Sequence, residues 1–254
     1  MPLAARPLPD AQLVEMLSLM KGSDSVELKL TIDESAQRSA IQALRMDPLG
    51  AQVRLVSFFD TPDLALQQAG VVVRARRSAG RDDDSVVKLR PVVPSELAAE
   101  VRASPLCMVE VDAMPDGYVC SASLKGRPRV PVQDVADGVA PLRKLLSKEQ
   151  RAFYAQNAPD GVGLDDLHLL GPIFVLKLKA APPGIARKMV VELWLYPDGT
   201  RILELSTKCA PSEAFQVGAE ARAFLAERGI APGQAQTTKT RKSLELFSAL
   251  IRDR

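Results

Sequence analysis

Arg74-Ala75-Arg76, Lys88-Leu89-Arg90 and Lys177-Leu178-Lys179 each set two positive charges two residues apart, the spacing that brings both side chains to one face of a β-strand. Like charges so placed repel one another, and a solvated surface has no need of them. A polyanion would relieve the repulsion. A triphosphate chain, with several negative charges and many acceptor oxygens, suits a convergence of Lys and Arg groups. Glu27, Glu110, Asp112, Glu192 and Glu204 occupy the corresponding face of their own strand-like segments. Carboxylates near phosphates are repulsive unless they hold a divalent metal, so mixed signs on one face suggest metal plus polyphosphate.

The elements that would carry these residues are strands with one apolar face. Val26, Leu28 and Leu30 oppose Ser25, Glu27, Lys29 and Thr31; Val71, Val73 and Ala75 oppose Val72, Arg74 and Arg76; Val191, Leu193 and Leu195 oppose Glu192. Alternation alone favours an antiparallel sheet with a solvated outer face. The like-charge pairs favour a closed sheet, with the charges inside and helices covering the apolar outside. The pattern predicts strands over 25–32, 52–59, 71–77, 85–91, 106–113, 173–180, 188–196 and 201–208, with a weaker one within 118–132. Helices are expected over 10–20, 35–45, 65–68, 141–156, 212–228 and 239–252. Asp60 and Thr61 read as a cap and turn. Strands with helices at intervals make an α+β chain. It divides as one domain, 1–254: a leading helix in 1–22, a first half in 23–115, an insertion with a helix in 116–170, and a second half in 171–254.

Composition narrows the partners. Thirty-three basic residues against 31 acidic leave a net charge of +2, and aromatics are 4% of the chain. Neither a nucleic-acid-coating surface nor a base-stacking platform is expected. Cys107, Cys120 and Cys209 have no disulfide or zinc spacing, and the lone His168 reads as a loop residue before Leu169. No apolar run nears the roughly 20 residues of a membrane span, and no signal peptide is evident, so the expected compartment is the cytoplasm. Asp82-Asp83-Asp84 reads as a solvated hairpin tip, Trp194 as a residue of the tunnel mouth, and the helix around 143–151 as a solvated face. Lys239, Arg241 and Lys242 could reach a phosphate or stay on the surface.

The ordered motifs resemble the CYTH family, the triphosphate tunnel metalloenzymes. Ser25-Val26-Glu27-Leu28-Lys29 is similar to that family's Glu-x-Glu-x-Lys strand, and Phe59-Asp60-Thr61-Pro62 to its Phe-Asp-Thr-Pro segment. Gly70 to Arg76 resembles its Gly-x-x-Leu-Arg-x-Arg strand, and Val87-Lys88-Leu89-Arg90 the Leu-Lys strand that follows. The strands of Glu192 and Glu204, and Thr238 to Ser243, fall in the same order. The resemblance implies a closed antiparallel eight-stranded β-tunnel with flanking helices. It also implies Mg²⁺- or Mn²⁺-dependent hydrolysis of inorganic triphosphate or a small triphosphorylated compound. Carried over by position, Glu27, Glu110, Asp112, Glu192 and Glu204 would serve the metal. Lys29, Arg74, Arg76, Lys88, Arg90, Lys177, Lys179 and Arg187 would hold phosphates, with Lys29 and Lys88 also stabilising charge on the scissile group. Two departures, Ser25 and Ser206 in place of carboxylates, imply a weaker metal site. The alternatives are an adenylate cyclase of the same family and a polyphosphate- or nucleotide-triphosphate-binding protein with weakened catalysis. Monomer and homodimer both stay open.

Overall fold

In the computed structural model, which describes residues 10–234, 236 and 238–252, the alternating strands close on themselves. They are β1 (Ser25–Ile32), β2 (Gln52–Asp60), β3 (Val71–Ser78), β4 (Arg81–Leu89), β5 (Cys107–Met114), β6 (Gly117–Gly126), β7 (His168–Ala180), β8 (Met189–Leu195) and β9 (Arg201–Cys209). The barrel order is β1-β5-β6-β4-β3-β2-β7-β8-β9. This corrects the expected eight strands to nine. It also corrects the antiparallel expectation at one seam, because β1 and β5 pair in parallel while every other pair is antiparallel.

Among the described residues, eight α-helices accompany the barrel: α1 (Asp10–Lys21), α2 (Gln37–Leu44), α3 (Ala65–Gln68), α4 (Ala99–Ala103), α5 (Val132–Ala136), α6 (Lys148–Asn157), α7 (Ala214–Glu227) and α8 (Lys239–Arg252). The outward apolar faces bury beneath them. Val26, Val109 and Val111 lie under Leu19 and Met20 of α1 and Val217 of α7. Val73, Ala75, Val87 and Leu124 pack on Leu145, Leu146, Phe153 and Tyr154. Ile32, Leu203 and Leu205 meet Leu44 of α2 and Phe224 of α7. Helix α8 is different, since its Leu244 joins Val56, Phe58, Leu170, Trp194, Tyr196 and Ile202 in an apolar plug built from side chains of the charged-face parity. Ser248 of α8 donates to the Pro62 carbonyl at 2.7 Å, which anchors the plug at the Phe58 end of β2.

Local chemistry explains the joints. Asp60 is buried and accepts from the backbone N–H groups of Thr61 (2.8 Å), Leu66 (2.9 Å) and Gln67 (3.0 Å), so it caps α3 as expected. Gly70 follows with φ +73°, and a Cβ there would sit 2.6 Å from the Arg90 carbonyl. Only glycine allows that turn, which lays the Arg74 strand beside the Lys88 strand.

Four further expectations change. His168 opens β7 opposite Asp60 instead of lying in a loop. Asp82, Asp83 and Asp84 lie in β4, not at the tip; Asp84 holds Arg76, Asp83 accepts from the Val132 N–H, and Asp82 pairs with Arg127. The helix over 141–156 is broken at Leu146–Ser147, where Ser147 and Gln150 form a capping box that starts α6. The stretch 116–170 supplies β6, a wall strand between β4 and β5, before its helical excursion. Among the described residues no helix is long and apolar enough to cross a membrane.

Candidate functional site

The barrel encloses a cavity of about 540 Å³ whose lining includes ten Lys or Arg and five Glu or Asp side chains. Its acidic corner comes from the parallel seam. There Ser25 stands opposite Glu110, and Glu27 opposite Asp112. Glu27, Glu110 and Asp112 each offer a carboxylate oxygen within 4.8 Å of the others. Lys29 Nζ sits 2.7 Å from Asp112 Oδ1 and 3.1 Å from Glu27 Oε2, Lys208 pairs with Glu110, and Ser25 Oγ donates to Glu110 Oε2 at 3.1 Å.

Charge in this corner is tightly coupled. Burial disfavours the Glu27 carboxylate, but Lys29, Lys208 and Lys239 outweigh it and hold Glu27 at about 2. For Glu110 burial wins and the Glu27 charge adds to it, so this carboxyl is pushed up despite Lys208. Asp112, fully buried, is held down by Lys29, Lys88 and Arg90 against its burial. Burial works against the Lys29 ammonium too, yet Asp112, Glu27 and Glu204 raise its pKa and keep it protonated.

Glu192 and Glu204 form a second acidic pair, opposite each other on β8 and β9. Lys239, at the start of α8, bridges them at 2.5 and 2.7 Å, and Lys177 reaches Glu192 at 2.9 Å. These ammonium groups hold Glu192 far below the carboxylate range although burial opposes them. The five expected carboxylates thus line one cavity in two groups.

The β2–β3 seam has the opposite character. Arg76 is neutralised by Asp84, with Nε donating at 3.0 Å and Nη2 at 2.9 Å from the same oxygen. Arg74 has no such carboxylate within 4.0 Å among the described residues, and its Nε is buried without a hydrogen-bond partner. Burial and then the Arg76 charge lower its pKa; a guanidinium stays charged at neutral pH, and Asp84 and Glu192 offset this charge only from a distance. Lys88, 3.8 Å from Asp112, is pushed down to about 8 by burial, with Lys29 and Arg90 adding to the effect. Arg90 approaches the same carboxylate at 3.5 Å.

Lys29, Arg74, Arg76, Lys88, Arg90 and Lys177 therefore face one cavity, as their alternation implied. Two expected phosphate ligands do not. Lys179 keeps the parity of Lys177, but a step nearer the end of β7 it is exposed and off the cavity lining. Arg187 lies outside the barrel, tied to Glu213 at 3.0 Å and Glu220 at 3.3 Å. Trp194 joins the plug and also lines the cavity, 4% exposed, with its indole N–H donating to Glu192 Oε2 at 3.2 Å. Of the three final-helix cations only Lys239 enters; Arg241 pairs with Glu245 and Lys242 lies over the Tyr196 ring. Arg54, Lys125 and Lys208 line the cavity without having been singled out as site residues. Arg54 shares the alternation of β2 but stands alone there, with no second cation two residues away to mark it.

No family model matches the chain, and no curated protein matches it in sequence. Solved structures do match in fold. One is a candidate adenylyl cyclase from Hippeastrum with a dominant triphosphatase activity, at a TM-score of 0.60 and 18% identity, over 86% of this chain and 94% of that one. Another is a candidate adenylate cyclase from Bacillus halodurans, at a TM-score of 0.58 and 12% identity, over 86% and 97%. The likeness is in the closed barrel with flanking helices, the part of the implied fold that this chain keeps, with nine strands in place of eight.

Proposed function

We propose that this chain is a divalent-metal-dependent hydrolase of inorganic triphosphate or a small triphosphorylated compound. The observation that carries the reading is the cavity's charge: ten cations against five carboxylates, with Arg74 half-buried and its Nε buried without a partner. A multiply charged anion entering the barrel would offset this surplus. The likeness in fold to a structure reported with triphosphatase activity supports the same reading.

Glu27, Glu110 and Asp112 fit a hard divalent cation, because each offers an oxygen donor within 4.8 Å of the others. Mg²⁺ or Mn²⁺ held there would neutralise phosphate charge and activate water. The chain's own residues do the rest. Arg74 and Arg76 bind and orient the phosphate chain through planar, charge-assisted hydrogen bonds. Lys29, kept protonated by three carboxylates, supplies a fixed positive charge beside the metal corner. Lys88, pushed down to about 8 yet still mostly protonated at neutral pH, stabilises negative charge on the scissile group.

The test is phosphate release from triphosphate, thiamine triphosphate and ATP under Mg²⁺, Mn²⁺ or EDTA, with cyclic AMP measured in the ATP arm. Metal-dependent release is expected, and Glu27→Gln should lower it by about 100-fold with the fold intact by circular dichroism. Near-normal turnover in that variant would remove Glu27 from the site, and cyclic AMP as the main product would replace hydrolysis by cyclisation.

A further inference from the structure

Five carboxylates line the cavity, but they differ in how many oxygens they have left to offer a metal. At the β1–β5 corner Lys29 takes Glu27 Oε2 and Asp112 Oδ1, while Lys208 and Ser25 share Glu110 Oε2. Among the described residues Glu27 Oε1 and Glu110 Oε1 have no hydrogen-bond or ion-pair partner. Asp112 Oδ2 meets only Arg90 at 3.5 Å and Lys88 at 3.8 Å, with no hydrogen bond. Each of these three carboxylates thus keeps one oxygen open to a further cation.

The pair on β8 and β9 is different. Glu192 Oε1 accepts from Lys177 at 2.9 Å, and Glu192 Oε2 accepts from Lys239 at 2.5 Å and from the Trp194 indole at 3.2 Å. Lys239 Nζ also lies 2.7 Å from Glu204 Oε1, so only Glu204 Oε2 is left without a partner among the described residues. The ammonium is a single positive centre between two carboxylates of adjacent strands, where a bridging metal ion would otherwise stand. Its backbone holds it there. The Lys239 carbonyl accepts from Ser243 Oγ at 2.6 Å and from the Tyr196 hydroxyl at 3.3 Å, and Nζ lies 5.2 Å from the centre of the Trp194 ring. The α8 plug therefore delivers this charge into the cavity as a fixed group.

We propose that Lys239 is a tethered cation that fills the second acidic pocket, so that the cavity takes one divalent ion, at the β1–β5 corner, and Glu192 and Glu204 are not metal ligands. This inference rests on the metal-dependent reading of the same cavity and sets how many ions it uses. With one ion, most of the charge of a polyphosphate falls to Lys and Arg side chains, in keeping with their surplus in the lining.

The experiment counts Mn²⁺ bound to the full chain without substrate, from the electron paramagnetic resonance of the free ion, with melting temperatures read in parallel. Wild type is expected to bind one ion per chain. Glu192→Gln should leave that ion in place, and Glu27→Gln should weaken it about tenfold or more. Lys239→Ala frees Glu192 Oε2 and Glu204 Oε1, so it should bind a second ion. Millimolar Mn²⁺ should then raise its melting temperature by a few degrees more than that of wild type. A second ion in wild type, loss of its ion in Glu192→Gln, or a single ion in folded Lys239→Ala would overturn the assignment of Lys239 and leave the metal-dependent reading standing. Should Lys239→Ala not fold, the wild-type and Glu192→Gln counts decide. No ion in folded wild type would overturn both.

Discussion

Lys88 makes the affinity of the cavity depend on pH in a direction that can be worked out. In the free protein burial, helped by Lys29 and Arg90, holds its ammonium at about 8, and Asp112 only partly offsets this. A bound polyphosphate brings several negative charges to the same space, so the bound pKa lies above the free one. Binding then takes up a proton. Linkage makes the affinity flat below about pH 8 and lets it fall toward tenfold per unit as pH rises through that value, a loss of about tenfold between pH 7 and pH 9. At pH 8 the uptake approaches about half a proton per site. The ligand's own deprotonation has the opposite effect, but it is common to any variant. Lys88→Arg keeps the charge and does not titrate in this range, so the ratio of the two affinities isolates Lys88. Calorimetry in EDTA at pH 7, 8 and 9, in two buffers of different ionisation enthalpy, reads both affinity and proton count. Superimposable pH profiles for wild type and Lys88→Arg, with no uptake at pH 8, would refute the reasoning.

Two other substitutions separate binding from stability. Arg74→Met should raise ligand-free stability by about 1–2 kcal/mol, or a few degrees in melting temperature, because it removes a charge with no carboxylate in contact and a buried Nε without a partner. The same variant should lose tenfold or more in triphosphate affinity; a fall in both quantities would show that Arg74 is structural. Lys239→Met should do the reverse to stability. Glu192 and Glu204 would face each other without their bridge, at a cost of about 3 kcal/mol, and thermal melts at neutral pH should drop by 6 °C or more. A drop below 2 °C would mean that Lys177 alone satisfies the pair.

How far the sequence reaches depends on the range of the interaction. Alternation assigned the inner face correctly for β1, β3, β4 and β8 because a period of two is a local property. Helices α1, α3 and α8 were legible for similar reasons, through apolar spacing, the Asp60 cap and the motif at Thr238. Strand β6 was read only as weakly strand-like and assigned to an insertion, because its inner face carries Ser121 and Ser123 where other strands carry charges, which mutes the contrast with Cys120 and Ala122. The start of β7 at His168 depends on its pairing with β2, whose register shifts between Val56 and Phe58; neither leaves a local signal. Lys239 was equally ambiguous, since a basic residue opening a helix has the same spacing whether that helix lies on the surface or plugs a barrel.

The parallel β1–β5 seam changes the meaning of Ser25, the departure that in the sequence implied a lost metal ligand. Because Glu110 stands directly across from Ser25, this corner already holds three carboxylates without a glutamate at position 25. The limit on adding another is visible in Glu110, whose carboxyl is pushed up by burial and by Glu27 even with Lys208 paired to it. A fourth carboxylate at position 25 would meet the same burial and an additional like charge, and it would lose the hydrogen bond that Ser25 donates to Glu110. Serine is therefore the residue that this seam favours electrostatically: a donor where the neighbouring strand supplies the acid. The charge deficit read from the motif is thus offset at Ser25 by Glu110. At Ser206 no such partner is evident, because it is buried opposite Lys29, whose ammonium already engages Asp112 and Glu27. On the proposed reading, the metal corner sits on the β1–β5 seam and the phosphate-binding row on β2–β3. The wall between them is bridged by Lys88 and Arg90, which reach toward Asp112 from the phosphate side.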